Sequence, residues 1–149
     1  FARVPKPVME EGDIRDAVQE SVILFREAHP GVTYDLNMPD DRVMTHFDRR
    51  LITQAVTNLV KNATEAVESA VQSGQTAKGR VETILRVTPE RIEIDVIDNG
   101  IGLPKQNRSR LLEPYVTTKG SKGTGLGLAI VQKITEQHGG ALSLDDAPE

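Results

Sequence analysis

Hydrophobic residues recur along this chain with two different periods, and these predict an alternation of helices and strands. The longest stripe runs through 49–72, where an apolar residue returns every three or four positions behind Asp48, a favourable helix N-cap. A second helical stripe follows another N-cap candidate, Asp13, and stops before the breaker His29-Pro30-Gly31. A third occupies 125–138 and is closed by two glycines. Three helices are therefore expected.

The segments between these helices alternate over shorter distances and predict strands. They are 32–38, 43–47, 81–87, 91–98 and the beginning of a last strand at 141–144. Two stretches show neither period. Segment 1–12 contains two prolines and is interpreted as a linker or the end of a preceding element, which leaves 13–149 as the domain. Segment 100–123 has a length and irregularity typical of a functional lid or of disorder.

Composition and charge exclude several classes of protein. The 149 residues suffice for one domain with a real core. A net charge of -4 and the scarcity of aromatic residues argue against a nucleic-acid surface. The absence of cysteine removes disulfides, thiolate metal sites and cysteine nucleophiles. No apolar run approaches the ~20 residues of a membrane span. Because the chain starts at Phe1 rather than Met, we expect it to be a piece of a longer protein.

A glycine-rich stretch stands directly before the third helix and reads TTKGSKGTGLGLAI over 117–130. Glycines let a backbone approach a ligand closely, and the start of a helix presents unpaired N–H groups and a partial positive charge. With Lys119 and Lys122 beside them, these features favour a polyphosphate seat. The alternative is a flexible linker that runs into an ordinary helix. The chain lacks the P-loop and Rossmann fingerprints, so neither of those phosphate sites is present in their usual form.

Two asparagines lie one helical turn apart in the longest predicted helix. At 100° per residue Asn58, Asn62 and Glu65 fall on one narrow stripe, with Lys61 close by. Asparagine is a poor choice inside a helix. Its neutral side-chain oxygen suits a Mg²⁺ ion that already bridges phosphates, which a carboxylate would repel. The alternative is a solvated polar face.

An aspartate ends the predicted strand 91–98 on its apolar side. Ile92, Ile94, Val96 and Asp98 share one parity, so the pattern directs a carboxylate toward the core. A buried carboxylate needs a donor, and an adenine amino group is one candidate. The alternative is that the strand end twists Asp98 into a polar turn, since Asp-Asn-Gly is a common turn sequence.

Four motifs, in order, resemble the sequence boxes of histidine kinases. They are NLVKNATEA at 58–66 (N box), DNGIG at 98–102 (G1 box), LEPY at 112–115 with TTK at 117–119 (F box), and GTGLGL at 123–128 (G2 box). The chain thus resembles the catalytic ATP-binding domain of a two-component sensor kinase, and its Asn-Ala-x-Glu-Ala and Thr-Thr-Lys variants are most similar to the nitrogen-regulation NtrY/NtrB type. Leu112 and Tyr115 stand where the family often has phenylalanine.

This resemblance implies an α/β two-layer sandwich of the Bergerat type, with a mixed sheet of about five strands packed on three helices. It assigns Asp98 to the adenine amino group, Asn62 to Mg²⁺ and Asn58 to the phosphates. Gly100 and Gly102 would shape the turn beneath the base. The lid hinge and phosphate loop would consist of Gly123, Thr124, Gly125, Leu126 and Gly127. The charges of Lys119 and Lys122 make them candidates to neutralise the γ-phosphate, so Asn58 and Lys119 are the candidate catalytic residues.

The function implied by the resemblance is to bind ATP or ADP with Mg²⁺ and present the γ-phosphate to a histidine. None of His29, His46 and His138 has the context of such an acceptor. We therefore expect it on a separate dimerisation domain of the same parent, whose last residues would be 1–12. A response regulator would meet the full-length kinase. The expected location is the cytoplasm, whether or not the parent is anchored in the inner membrane, without membrane or nucleic-acid contact by this domain.

Two alternatives remain open at the level of sequence. Gyrase-, MutL- and chaperone-type ATPases of the same superfamily usually carry glutamate at the position of Asn58, where it activates water. Asn58 cannot act as a base, which favours transfer to a histidine. The second alternative is a non-catalytic nucleotide sensor or interaction domain.

Overall fold

Helices and strands alternate in the computed structural model, which describes residues 6–100 and 127–143. In chain order the elements are β1 (Glu10–Asp13), α1 (Ile14–Ala28), β2 (Thr33–Asn37), β3 (Met44–Phe47), α2 (Arg49–Gln72), β4 (Arg80–Val87), β5 (Ile92–Asp98) and α3 (Gly127–Gln137). The predicted α/β sandwich with three helices is confirmed.

The five strands of the described residues form two small sheets. β4 is the central strand of a mixed sheet, parallel to β2 and antiparallel to β5. A parallel pair needs a long crossover connection, and here β3 and α2 provide it. β1 and β3 form a separate antiparallel ribbon. In the register of the larger sheet, Val81 of β4 lies between Tyr34 of β2 and Asp98 of β5.

The core lies between the helices and one face of the larger sheet, with α2 at its centre. α2 contacts α1, α3, β4 and β5. Its buried residues follow the predicted stripe, and they are Leu51, Ile52, Ala55, Val56, Val60, Ala63, Thr64, Val67 and Ala70. Val81 of β4 and Ile134 of α3 are also fully buried. Since each fully buried aliphatic side chain contributes roughly 1.5–3 kcal/mol, packing around α2 is the main support of this helix.

Both predicted N-caps are confirmed. The Oδ1 atom of Asp13 accepts a hydrogen bond from Arg15 N at 3.1 Å, and that of Asp48 accepts one from Leu51 N at 3.0 Å. Each carboxylate also reaches outside its helix, because Asp13 accepts from Val43 N at 3.0 Å and Asp48 accepts from Val8 N at 2.7 Å. The caps therefore fix the chain segments that flank the helices.

Most predicted boundaries agree with the structure. α2 has the predicted bounds, and α1, β2, β3, β4 and β5 lie within a residue or two of theirs. The predicted stop after α3 is confirmed, since Gly139 has a positive φ of 74° and Gly140 N donates to Thr135 O at 2.8 Å. The predicted start of this helix at Gly125 and nearly all of the predicted lid 100–123 lie outside the described residues.

Two predictions differ from the structure. Within segment 1–12, interpreted as a linker, Glu10, Glu11 and Gly12 belong to β1, which pairs with β3. The sequence Glu-Glu-Gly-Asp has no apolar residue to mark it as a strand, and only the backbone pairing defines it. The predicted last strand is also not found at 141–143, whose backbone has no strand assignment, and Leu144 lies outside the described residues.

Candidate functional site

The polar stripe of α2 lies along the border of the core. Asn58, Asn62 and Glu65 are half-buried, Lys61 is exposed, and Ala63 between them is buried. The three stripe residues therefore share one side of the helix, as the 100° spacing predicts. Within residues 6–100 and 127–143, no hydrogen bond holds the Asn58 side-chain amide, so its oxygen remains available to a ligand.

Gly100 connects the G1 segment directly to this helix. A Cβ atom built on Gly100 would lie 2.6 Å from the carbonyl carbon of Ala66 and 2.8 Å from its carbonyl oxygen. No real side chain tolerates such distances to backbone atoms, so only glycine permits this approach. The contact places the end of β5 against α2, one turn after Asn62. The N-box and G1 residues, 32 or more positions apart along the chain, are thus neighbours.

Asp98 ends β5 on the face that the helices cover. It lies opposite Val81, which is fully buried on the core face of β4, so the predicted inward orientation is confirmed. Its Oδ1 atom also accepts a hydrogen bond from Gly100 N at 2.8 Å, which is the turn of the alternative interpretation. The two interpretations therefore describe one conformation. Burial raises the pKa of Asp98, and the hydrogen bond from Gly100 opposes this only in part.

The other carboxylate oxygen of Asp98, Oδ2, makes no hydrogen bond to any described residue. A half-buried carboxylate in this state is unfavourable without a further donor. The side chain is thus oriented by the turn and has one oxygen left to accept a hydrogen bond from a ligand.

Asn99 has a structural role that the sequence reasoning did not assign. Its Oδ1 atom accepts from Arg80 N at 2.8 Å, its Nδ2 atom donates to Lys78 O at 2.9 Å, and its backbone N donates to Arg80 O at 3.2 Å. These bonds tie the start of β4 to the end of β5. Asn99 therefore holds the G1 turn from the side opposite Asp98. The Asp-Asn-Gly sequence signals a turn, but it does not reveal which distant backbone the asparagine binds.

α3 begins at the end of the glycine-rich segment and packs against α2, the helix that carries the asparagines. Its buried residues Val131 and Ile134 belong to the common core, and the helix packs against α2. At the far end, His138 Nε2 accepts a hydrogen bond from Asp48 N at 3.0 Å, which ties the end of α3 to the start of α2.

The remaining predicted site residues cannot be placed. Gly102, Lys119, Lys122, Gly123, Thr124, Gly125 and Leu126 lie outside the described residues, and their assignments stay predictions. Over 6–100 and 127–143, no three His, Cys, Asp or Glu side chains come together as a metal site. None of the three described helices combines the length and apolar character of a membrane-spanning segment.

Comparison with known sequences identifies the family of this site. The profile of the histidine kinase-, DNA gyrase B- and HSP90-like ATPases matches residues 47–149. The chain belongs to this family. The matched residues include the N box, the G1 turn and α3. The predicted resemblance to the ATP-binding catalytic domains of histidine kinases is therefore confirmed.

Relatives of this ATPase domain are named as a nitrogen regulation protein and as a sensory histidine kinase/phosphatase. The chain is 51% identical over 149 residues to the nitrogen regulation protein NtrY of Azorhizobium caulinodans, and the alignment covers 100% of this chain and 19% of NtrY. It is 32% identical over 160 residues to the sensory histidine kinase/phosphatase NtrB of Rhodobacter capsulatus, which covers 99% of this chain and 43% of NtrB. The domain thus spans about a fifth of the length of NtrY.

Solved structures show the same fold. The mycobacterial sensor histidine kinase MprB superposes with a TM-score of 0.75 at 27% identity, over 91% of this chain and 83% of that one. The nucleotide-free catalytic domain of the histidine kinase ThkA superposes with a TM-score of 0.73 at 26% identity, over 88% and 83%. The arrangement of α2, β5 and α3 is therefore that of histidine kinase catalytic domains.

Proposed function

We propose that this domain binds ATP with Mg²⁺ and presents the γ-phosphate to a histidine on a separate dimerisation domain of its parent kinase. The observation that carries the proposal is the contact of Gly100 with Ala66, which joins a carboxylate with an unused oxygen to a helix bearing two asparagines. One nucleotide can place its adenine at Asp98 and its phosphates at Asn58 and Asn62 only if the end of β5 lies against α2. The family supplies ATP as the nucleotide.

Each residue has a distinct role in this proposal. Asp98 accepts a hydrogen bond from the adenine amino group, and Gly100 and Gly102 shape the turn under the base. Asn62 offers a neutral amide oxygen to Mg²⁺, which suits an ion whose other ligands are phosphate oxygens and water. When bound, the ion neutralises charge on the transferred phosphate. Asn58 supports the phosphates, with Lys119, Lys122 and the loop 123–127 enclosing them.

The chemistry of Asn58 favours phosphotransfer over hydrolysis. An amide cannot take a proton from water, so this position supplies no general base. The site would act by positioning the nucleotide and neutralising its charge, which is how phosphoryl transfer is mainly catalysed. An ATPase of the gyrase or chaperone type and a non-catalytic nucleotide sensor are the two rival functions.

The biological setting follows from the relatives. Since NtrY is 51% identical to this chain, we infer that the parent takes part in nitrogen regulation through a response regulator. A crystal structure of ThkA contains its response regulator TrrA, and it shares 23% identity and the fold with this chain. We place the domain in the cytoplasm, where ATP and a response regulator are present.

Nucleotide titration tests the binding step. We expect ATP to bind in calorimetry with Mg²⁺ and to bind more weakly in excess chelator. Asp98→Asn should abolish binding. The Oδ1 atom of the asparagine would keep the hydrogen bond from Gly100 N, and its NH₂ group would lie where an acceptor is needed. Asp95→Asn is the matched control, since Asp95 lies on the other face of β5 and pairs with Arg86. Asn62→Ala should reduce the Mg²⁺ dependence, whereas Gln72→Ala, at the exposed end of α2, should not.

Phosphotransfer decides between the functions. The domain is mixed with radiolabelled ATP and the dimerisation domain of its own parent kinase. Acid-labile, base-stable label on that partner supports kinase activity. ATP binding without label supports the sensor function, and phosphate release without label supports the ATPase function. Absence of any adenine-nucleotide binding by the wild-type domain would overturn all three.

A further inference from the structure

Lys61 is an exposed cation on the helix that carries the two asparagines of the proposed site. Its side chain forms no ion pair and no hydrogen bond with any residue in 6–100 or 127–143. Residues three apart on a helix have Cβ atoms about 5–6 Å from each other, so Lys61 is a close neighbour of Asn58. Asn62 is the next residue of the chain. A long lysine side chain at this position can therefore reach a group that the two amides hold between them.

The direction of Lys61 around α2 follows from the helical repeat. Relative to Asn58, Lys61 points about 60° to one side and Asn62 about 40° to the other. Ala66 points about 40° beyond Asn62, and its Cβ atom would lie 2.8 Å from a Cβ built on Gly100. The G1 turn and Lys61 are therefore on opposite edges of the polar stripe.

The charged residues are also sorted along the axis of α2. At 1.5 Å per residue, Glu65 lies about 1.5 Å from the level of Ala66, where Gly100 touches the helix, and Lys61 lies about 7.5 Å from it. In the proposed function the base binds at this contact, and the phosphates extend toward Asn58. The carboxylate of the stripe is thus at the base end of the site, and Lys61 is on the side of the phosphates.

We infer that Lys61 contacts the terminal phosphate of bound ATP and makes the site favour ATP over ADP. This inference rests on the proposed function, since it needs a nucleotide whose base is at Asp98. An ammonium group donates up to three hydrogen bonds, and those to phosphate oxygens are assisted by charge. The asparagine amides are neutral, so Lys61 supplies positive charge that they cannot.

Substitutions of Lys61 separate its charge from its effect on the helix. Lys61→Gln removes the charge and Lys61→Arg keeps it, and glutamine and arginine have helix propensities close to that of lysine. In calorimetry with excess Mg²⁺, we expect Lys61→Gln to bind ATP about five- to tenfold more weakly, the size of one exposed charge-assisted hydrogen bond, and ADP within about twofold of the wild type. Lys61→Arg should keep the wild-type ratio of ATP to ADP affinity. Both variants should melt like the wild type.

Arg49→Gln is the matched control, because it removes one positive charge from the same helix. Arg49 lies nine residues before Asn58, about half a turn away around the axis, and pairs with Glu20 of α1 at 3.5 Å. It should leave both affinities unchanged. A wild-type ratio of ATP to ADP affinity in Lys61→Gln would overturn the inference, whether neither nucleotide or both nucleotides bound more weakly. A wild-type domain that binds neither nucleotide would instead overturn the proposed function.

Discussion

Gly100 lies so close to Ala66 that a Cβ atom on the glycine would stand 2.6 Å from the alanine carbonyl carbon. This is the point at which the turn after β5 meets the helix that carries Asn58 and Asn62. The approach is set by backbone atoms on the alanine side, so a flexible side chain cannot relieve it. The position of Asp98 relative to the asparagines therefore depends on residue 100 being a glycine.

Gly100→Ala should separate the turn from α2. We expect a loss of about 1–3 kcal/mol in the free energy of unfolding, as for other overpacked sites, and a larger loss of ATP affinity than the stability change alone explains. Denaturant titration and calorimetry measure the two effects. Gly31→Ala is the control, since a Cβ there meets nothing within 4 Å and should change neither quantity. Wild-type ATP affinity in Gly100→Ala would contradict the proposed site geometry.

The charged carboxylate of Asp98 should lower the stability of the folded domain at pH 7. Burial raises its pKa in the folded state, so the folded protein binds its proton more readily than the unfolded chain does. The charged form at pH 7 is therefore unfavourable to folding, and this effect is relieved as the pH falls through the raised pKa. We expect Asp98→Asn to melt at or above the wild-type temperature at pH 7, with the difference shrinking toward pH 4. Thermal melts at both values test this, and a strongly destabilised variant would contradict it.

The charged carboxylate of Asp13 should have the opposite effect and stabilise the folded domain. The side chain of Arg15, which donates to both carboxylate oxygens, lowers the pKa of Asp13 from 3.8 to about 2. A carboxyl group whose pKa is lowered by folding stabilises the folded state at pH values above its pKa in the unfolded chain. This contribution is lost as the pH falls from about 4 to 2. Asp13→Asn should therefore be less stable than the wild type at pH 7 and approach it near pH 2. Denaturant titrations across this range check the expectation. The exposed Glu27→Gln on α1 is the control, and an equal deficit at both pH values would count against the ion pair.

What the sequence predicted well was local. Asp48 and the apolar stripe behind it are sufficient to define α2, because cap and periodicity belong to one contiguous segment. β1 was missed because its four residues are polar and its pairing with β3 is remote. Asn99 was missed for the same reason, since its partners lie about 20 positions earlier. Parity directed Asp98 inward correctly, but parity could not show that Gly100 would also bond it in a turn.

His138 should control how firmly α3 is held against α2. Its Nε2 atom accepts from Asp48 N at 3.0 Å, and its Nδ1 atom lies 2.8 Å from Ile134 O, which as an acceptor requires the proton on Nδ1. Asp48 in turn accepts from Val8 N, so one junction joins both helices to the incoming chain. His138→Ala leaves the Asp48 N–H without its partner, and we expect a loss of about 1–3 kcal/mol in stability. Hydrogen exchange should quicken in α3 and around Val8 while the centre of α2 stays protected. His46→Ala, at an exposed position in β3, is the matched control, and equal exchange in the two variants would show that the junction does not hold α3 in place.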